Sequence, residues 1–227
     1  MFVQFLRLEI KSFFRGNSVG VNLAMKIFRF LGILSMMAYC IGAGFLAFFY
    51  VEKEMEQDPI MVVSKFMIIV WVADLIFKYL LQQMSTQNIK PFLTLNIPKK
   101  TLVNYMLIKT FLSPFSWMNS FFLVTFSAIC LFNGYGFLGT FCWFIALSLL
   151  FYLNNFINIL VNNRENIAIA IGIIFAIIGG LGYYNIIPIL EYSERFFYSF
   201  YTQPYVALFA VALFAGLWWV CFKHIYK

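Results

Sequence analysis

The sequence predicts an all-α polytopic membrane protein. It has six transmembrane helices, an interfacial helix at the N-terminus and both termini on the cytoplasmic side. Three observations carry this. Hydrophobic residues make up 63% of the 227 and charged residues only 11%, against about 25% charged in a typical soluble domain. The apolar residues fall in blocks long enough to cross a hydrocarbon layer about 30 Å thick. The lysines and arginines gather at the ends of those blocks, where topology determinants sit. One transmembrane domain over residues 1–227 accounts for the whole chain.

Residues 1–16 form the predicted interfacial helix. Gln4, Arg7, Lys11 and Arg15 fall on one stripe and Phe2, Leu6, Ile10 and Phe13 on the opposite one, which suits a helix lying among lipid headgroups. Charges interrupt the apolar residues here, so no signal-peptide core exists. Span one covers 27–51, and the acidic run Glu52 to Pro59 follows as a loop. Span two covers 60–84. A polar cytoplasmic connection, 85–103, contains Pro91 and Pro98, which divide it. Span three covers 104–132, its first turns projecting into the cytoplasm, with Pro114 as a predicted kink. Asn133-Gly134-Tyr135-Gly136 is a tight external turn. Span four covers 137–161, span five 166–187 and span six 205–222. Between the last two lies an external segment, 188–204, in which aromatic residues alternate with Glu191, Glu194 and Arg195.

Charge sets the orientation. With the N-terminus inside, Arg7, Lys11, Arg15, Lys26, Arg29, Lys78, Lys90, Lys99, Lys100, Lys109, Arg164, Lys223 and Lys227 lie at inner flanks. The outer side holds Lys53 and Arg195, with Lys65 in the outer part of span two. This is the positive-inside bias. The net charge of +7 therefore reflects topology, and no nucleic-acid partner is expected.

Polar residues within the spans are the candidate functional positions. Asp74 and Lys78 are four apart on span two and face each other. An ionisable residue near the centre of a span costs about 2.5–3.5 kcal/mol, so an intrahelical pair that lowers this cost is favoured over a polar transport lining. Asn154, Asn158 and Asn162 form an i, i+4 ladder on span four, with Asn155 beside it; such amides bond across helices. Ala168, Gly172, Ala176 and Gly180 place small residues every four positions along span five, a helix-packing or dimer face. Span one carries a shorter version in Ala38 and Gly42.

Cys40, Cys130, Cys142 and Cys221 lie inside apolar blocks without metal-site spacing, which excludes a zinc site or disulfide framework. No P-loop, HExxH or GxSxG pattern occurs, and the single histidine, His224, is interfacial. The sequence predicts no catalytic residue, no metal and no cofactor.

The order of elements resembles the transmembrane subunit of type-2 ABC exporters: an interfacial helix before span one, a Pro-broken cytoplasmic connection after span two, and an amphipathic external segment before span six. Two stretches look closer still to an uncharacterised Bacteroidota membrane family related to such permeases. They are Phe5-Leu6-Arg7-Leu8-Glu9-Ile10-Lys11-Ser12-Phe13-Phe14-Arg15, and Gln82-Gln83-Met84 through Ile89-Lys90-Pro91-Phe92-Leu93 to Ile97-Pro98-Lys99-Lys100. Members of that family are often longer, which makes this chain a half-size version or a portion of a larger protein. The resemblance implies a permease of the bacterial cytoplasmic (inner) membrane that pairs with an ABC ATPase subunit and a second permease half. ATP hydrolysis would belong to the partner, and the cargo would be hydrophobic or amphipathic. It also implies that Asn88, Lys90, Pro91, Pro98, Lys99 and Lys100 contact the ATPase. The competing reading is a non-transporting scaffold or accessory subunit of a larger envelope complex, in which the intramembrane polar residues are packing contacts only.

Overall fold

The structure, a computed structural model, describes residues 19–81, 98–111, 114–161 and 188–226, together with residues 172, 173, 175, 179, 180 and 182. Every regular element among them is helical. Helix α1 spans Val19–Tyr50 and continues as a π-helical turn, Val51–Met55. Then come α2 (Pro59–Leu81), α3 (Lys99–Phe111), α4 (Pro114–Phe132) and α5 (Phe137–Val161). Helix α6 (Ile189–Thr202), a 3₁₀ turn (Pro204–Val206) and α7 (Ala207–Tyr226) complete the chain. Four segments are long and apolar enough to cross a membrane: Phe30–Met55, Pro59–Leu80, Phe137–Val161 and Pro204–Tyr226. Helices α3 and α4, bent by 52°, make a fifth if they count as one crossing. This is the signature of a multi-pass membrane protein. The predicted interfacial helix, and most of the predicted fifth span and cytoplasmic connection, lie outside the described residues.

The chain divides into two compact units, residues 1–39 and 40–227. Within the first, α1 exposes large apolar side chains such as Phe28, Phe30, Leu34 and Tyr39. The second holds the core, in which Phe48, Ile60, Met67, Leu107, Leu123, Phe126, Trp143, Leu147, Phe156 and Phe200 are buried.

Two boundaries differ from the sequence expectation. The acidic run after span one is helical through Met55; Glu56 ends it in the left-handed region, φ 51°. Helical hydrogen bonding continues past the apolar block because exposed Glu52, Lys53 and Glu54 lose nothing by it. Residues 99–103 belong to α3 rather than to the connection. Pro98 starts that helix, its carbonyl accepting from the Thr101 and Leu102 N–H groups at 2.9 and 3.3 Å. The first turns of α3 are also packed within the bundle: Leu102, Val103, Met106 and Leu107 are buried, and Lys99 Nζ lies 5.3 Å from the Tyr226 ring centre at the end of α7.

The α3–α4 bend follows from covalent structure. Pro114 has no N–H to offer the Thr110 carbonyl. Ser116 Oγ donates to that carbonyl instead, at 3.3 Å, and Trp117 Nε1 donates to the Phe111 carbonyl at 2.9 Å. Side chains thus restore the bonding that a backbone inside lipid must find.

Hydrogen bonds fix the register of the bundle. Trp143 Nε1 donates to Ser64 Oγ (3.0 Å), Trp71 Nε1 to the Leu150 carbonyl (2.9 Å) and Asn158 Nδ2 to the Lys78 carbonyl (2.9 Å). Partner numbers rise together, so α2 and α5 run parallel. The contact extends about 21 Å, the rise of the helix from Ser64 to Lys78. Helix α7 is also parallel to α5. Tyr201, just before α7, packs on Gly139 at the start of α5, while Cys221 Sγ reaches the Phe156 carbonyl near its end. Phe111, Tyr152, Phe156, Phe214 and Trp218 join α3, α5 and α7 in one aromatic cluster.

The close approach of α1 to α4 occurs at Gly44. A Cβ at Gly44 would stand 2.9 Å from the Phe122 carbonyl oxygen and 3.2 Å from Thr125 Cβ, whereas Gly42 has nothing within 4 Å. Phe48, one turn on, packs against Phe126 and Tyr135. Replacing Gly44 by Leu should therefore destabilise the bundle by about 1–3 kcal/mol through overpacking. The same change at Gly42 should be nearly neutral. Thermal unfolding in a mild detergent distinguishes the two positions.

Candidate functional site

The strongest concentration of intramembrane polarity is a seam between α2, α4 and α5. On α2 it uses Trp71, Asp74 and Lys78, which share one face at i, i+3, i+7 spacing. On α5 it uses Asn154 and Asn158, one turn apart. Lys78 Nζ pairs with Asp74 Oδ2 at 2.8 Å, with side chains 1% and 8% exposed. Lys78 also donates to the Phe151 carbonyl at 2.9 Å. Asp74 accepts from Asn154 Nδ2 at 2.7 Å and from Asn119 Nδ2 of α4. Asn154 Nδ2 reaches the Trp71 carbonyl as well, at 3.0 Å.

Magnitudes indicate what this cluster can do. Inserting two ionised groups costs about 2.5–3.5 kcal/mol each. Four hydrogen bonds to charged groups, at about 1.5–3 kcal/mol each, offset that cost. The carboxylate is occupied by three donors and the ammonium by two acceptors. Such a site ties three helices together. Asn154 Oδ1 has no hydrogen-bond partner in the seam.

The Asp74–Lys78 pairing that the four-residue spacing predicts is present, and Lys78 is buried against α5. The apolar wall of α5 and the nearby carboxylate outweigh the pull of the interface. Beside the seam, Asn155 Nδ2 donates to Ser116 Oγ at 2.9 Å, and Ser120 Oγ lies 3.3 Å from Tyr152 OH. These tie the bent α4 to α5.

At the other end of α2, helix α6 is inserted into the bundle. Ser193, Phe197 and Phe200, at i, i+4, i+7, are its buried face. Ser193 Oγ accepts from the Ile68 N–H at 3.3 Å and donates to the Ser64 carbonyl at 3.0 Å. Those two groups are four residues apart, so the hydroxyl sits in the backbone hydrogen-bond ladder of α2. Asp58 caps α2, with Oδ1 accepting from the Ile60 N–H at 3.0 Å and Pro59 in the first helical position. Its other oxygen accepts from Tyr198 OH at 2.9 Å. The Tyr198 phenol is pushed up to about 12, first by burial, then by the hydrogen bond and charge of Asp58. Tyr135 is raised as well, by burial first and by the Asp58 charge next.

The remaining candidate residues are dispersed. Pro98, Lys99 and Lys100 stand exposed at the start of α3, while Asn88, Lys90 and Pro91 lie outside the described residues. Gly172 and Gly180 are helical with open space where a Cβ would project; Ala168 and Ala176 lie outside the described residues. Asn119, Ser116, Trp71 and Ser193 did not stand out in the sequence. Asn119, a lone amide in an apolar block, carried the same signal as Asn158. Ser193 carried none, because its role depends on which helix it meets.

Two outcomes follow. Asp74→Ala leaves the Lys78 ammonium buried without its partner and should cost about 3–5 kcal/mol. Replacing both, Asp74→Leu with Lys78→Met, should cost clearly less; chemical denaturation in detergent micelles reads the difference. For the α6 latch, a phenol raised above its ordinary value of about 10 gives stability that is full below about pH 10. That stability is lost as pH rises through about 12. Amide exchange across α6 should show this loss in the native chain and lack that component in Tyr198→Phe.

No curated protein and no solved structure matches the chain. One family profile does, over residues 9–227, and its description is a family of unknown function. By that match, which leaves out only the first eight residues, the protein belongs to the DUF5687 family.

Proposed function

We propose that this protein is the transmembrane permease subunit of an ATP-driven ABC exporter, with six spans and both termini in the cytoplasm of a bacterial inner membrane. The observation that carries the reading is the seating of α6. An amphipathic helix before the last span is buried at one end of the bundle, held to α2 by Ser193 and Tyr198. A re-entrant element at the exit side of a transport route would sit this way.

The span count draws support from register. Helices α2, α5 and α7 run parallel, so the chain has to return between each pair. The bent α3–α4 makes the first return. The second falls between Val161, in a cavity with Leu75 and Leu80, and Ile189, which lines another with Lys65. Gly172 lines the first of these cavities and Gly182 the second, in the order a crossing requires. The orientation draws support from charge. Lys99, Lys100 and Lys223 share the end of the bundle where α3 meets α7, whereas Asp58, Glu191 and Glu194 share the opposite end. The positive-inside bias puts the first group in the cytoplasm.

On this reading the exposed start of α3 docks on a separate ATPase, and α3 passes the push to α7 through the Lys99–Tyr226 contact and the aromatic cluster. A second permease half completes the route for an amphipathic cargo. Purification from native membranes should then recover an ATP-hydrolysing subunit. Lys100→Glu, at an exposed position, should abolish most of the cargo-stimulated hydrolysis while leaving the bundle folded. Recovery of the chain with no ATPase would sink the proposal. It would favour the scaffold reading, which has an observation of its own in the cross-helix bonding of the Asp74–Lys78 seam.

A further inference from the structure

Helix α2 has two working faces. One carries Trp71, Asp74 and Lys78 into the seam. The other presents Lys65, Ile69, Val72 and Ile76, at i, i+4, i+7, i+11, to a cavity of about 760 Å³. Phe175 and Gly179 line it from across the groove, and Glu191 of α6 lines it as well. A smaller cavity of about 200 Å³ shares Ile76 and Phe175 and continues toward Leu80. From Lys65 to Ile76 the helix rises about 16 Å, which matches half of a hydrocarbon layer about 30 Å thick. The volume falls in the range of small-molecule sites, roughly 300–1,000 Å³.

Among the described residues that line the groove, Lys65 and Glu191 are the charged ones. Lys65 is half-buried and Glu191 exposed. Among the described residues neither forms an ion pair. A cation and an anion both line this apolar trough, which is about one leaflet deep. Their complement is a molecule with an apolar tail and a head carrying both a phosphate and an ammonium.

We infer that this groove binds a phospholipid with a primary-amine headgroup, of the phosphatidylethanolamine class. An acyl chain lies along Ile69, Val72 and Ile76, the phosphate meets Lys65 and the ammonium donates to Glu191. A primary ammonium makes charge-assisted hydrogen bonds to a carboxylate; a quaternary one cannot, and a glycerol headgroup brings no cation. Glu191 therefore selects and Lys65 anchors. The inference concerns binding and stands whether or not the chain transports.

The test uses the full chain reconstituted in phosphatidylcholine vesicles. Each preparation carries a small, equal fraction of one probe with a photoreactive acyl chain, bearing an ethanolamine, choline or glycerol headgroup. Labelled peptides are mapped by mass spectrometry. The ethanolamine probe should label α2 between Ile69 and Ile76 roughly fivefold more than either other probe. Glu191→Gln should bring the ethanolamine and choline probes to the same level, and Lys65→Gln should lower labelling by all three. Gly179→Leu should lower ethanolamine labelling by filling the groove, since a Cβ there meets open space. If that variant does not fold, the two charge variants carry the test, because both residues are solvent-accessible. Labelling that ignores headgroup and both charge variants would mean bulk lipid only and overturn the inference. Preference for the glycerol probe would overturn it too.

Discussion

Burying an ion pair in a helix that faces lipid constrains the bundle more than any other feature. Asp74 and Lys78 cannot turn outward without a cost of several kcal/mol. They cannot satisfy each other alone, because a carboxylate and an ammonium have more bonding capacity than one contact uses. Their face of α2 must therefore meet another helix that supplies amides and carbonyls. Helix α5 supplies Asn154, Asn158 and the Phe151 carbonyl, and α4 supplies Asn119. Once these bonds form, the rotation of α2, its register on α5 and its parallel direction are all set. The lipid does not drive helices together as water drives soluble cores, so directional bonds of this kind decide which faces meet.

The rest of the bundle is arranged around that contact. Trp71 and Trp143 extend the α2–α5 register with indole donors, one to a carbonyl and one to Ser64. Ser64 is also where α6 enters, since Ser193 bridges the Ser64 carbonyl and the Ile68 N–H. Helix α2 is thus held at both ends by different chemistry. Its charged half is clamped by amides; its other half is bridged by the Ser193 hydroxyl and capped by Asp58.

The opposite end of the bundle is built from aromatic rings and basic residues. At the Pro114 bend, Ser116 and Trp117 side chains donate to the Thr110 and Phe111 carbonyls. Because the bend is bonded, α3 has a defined direction and lies along α7 through Phe111, Trp218 and Tyr226. A force applied at Pro98–Lys100 would reach the last span through packed rings rather than through a loop. The polar seam and the amphipathic groove use opposite faces of α2, so a ligand in the groove and the clamp on α5 share one helix and no side chain.

What the sequence by itself determined was the solvent and the class of fold. Blocks of apolar residues at span length admit only helices in lipid, since each helix satisfies its own backbone. Pro114 marked the bend because a missing N–H is covalent. The four-residue spacing of Asp74 and Lys78 made their pairing a local matter. The tertiary structure decided what those groups do. Lys78 takes its second acceptor, the Phe151 carbonyl, from α5, because that depends on which helix packs beside it. Gly44 rather than Gly42 makes the close approach, because the choice depends on the rotation of α1 against α4. Asn119 and Ser193 became functional neighbours of α2 at separations of 45 and 125 residues. No periodicity in one helix encodes the face of another, so contacts of that range arise only when the helices assemble.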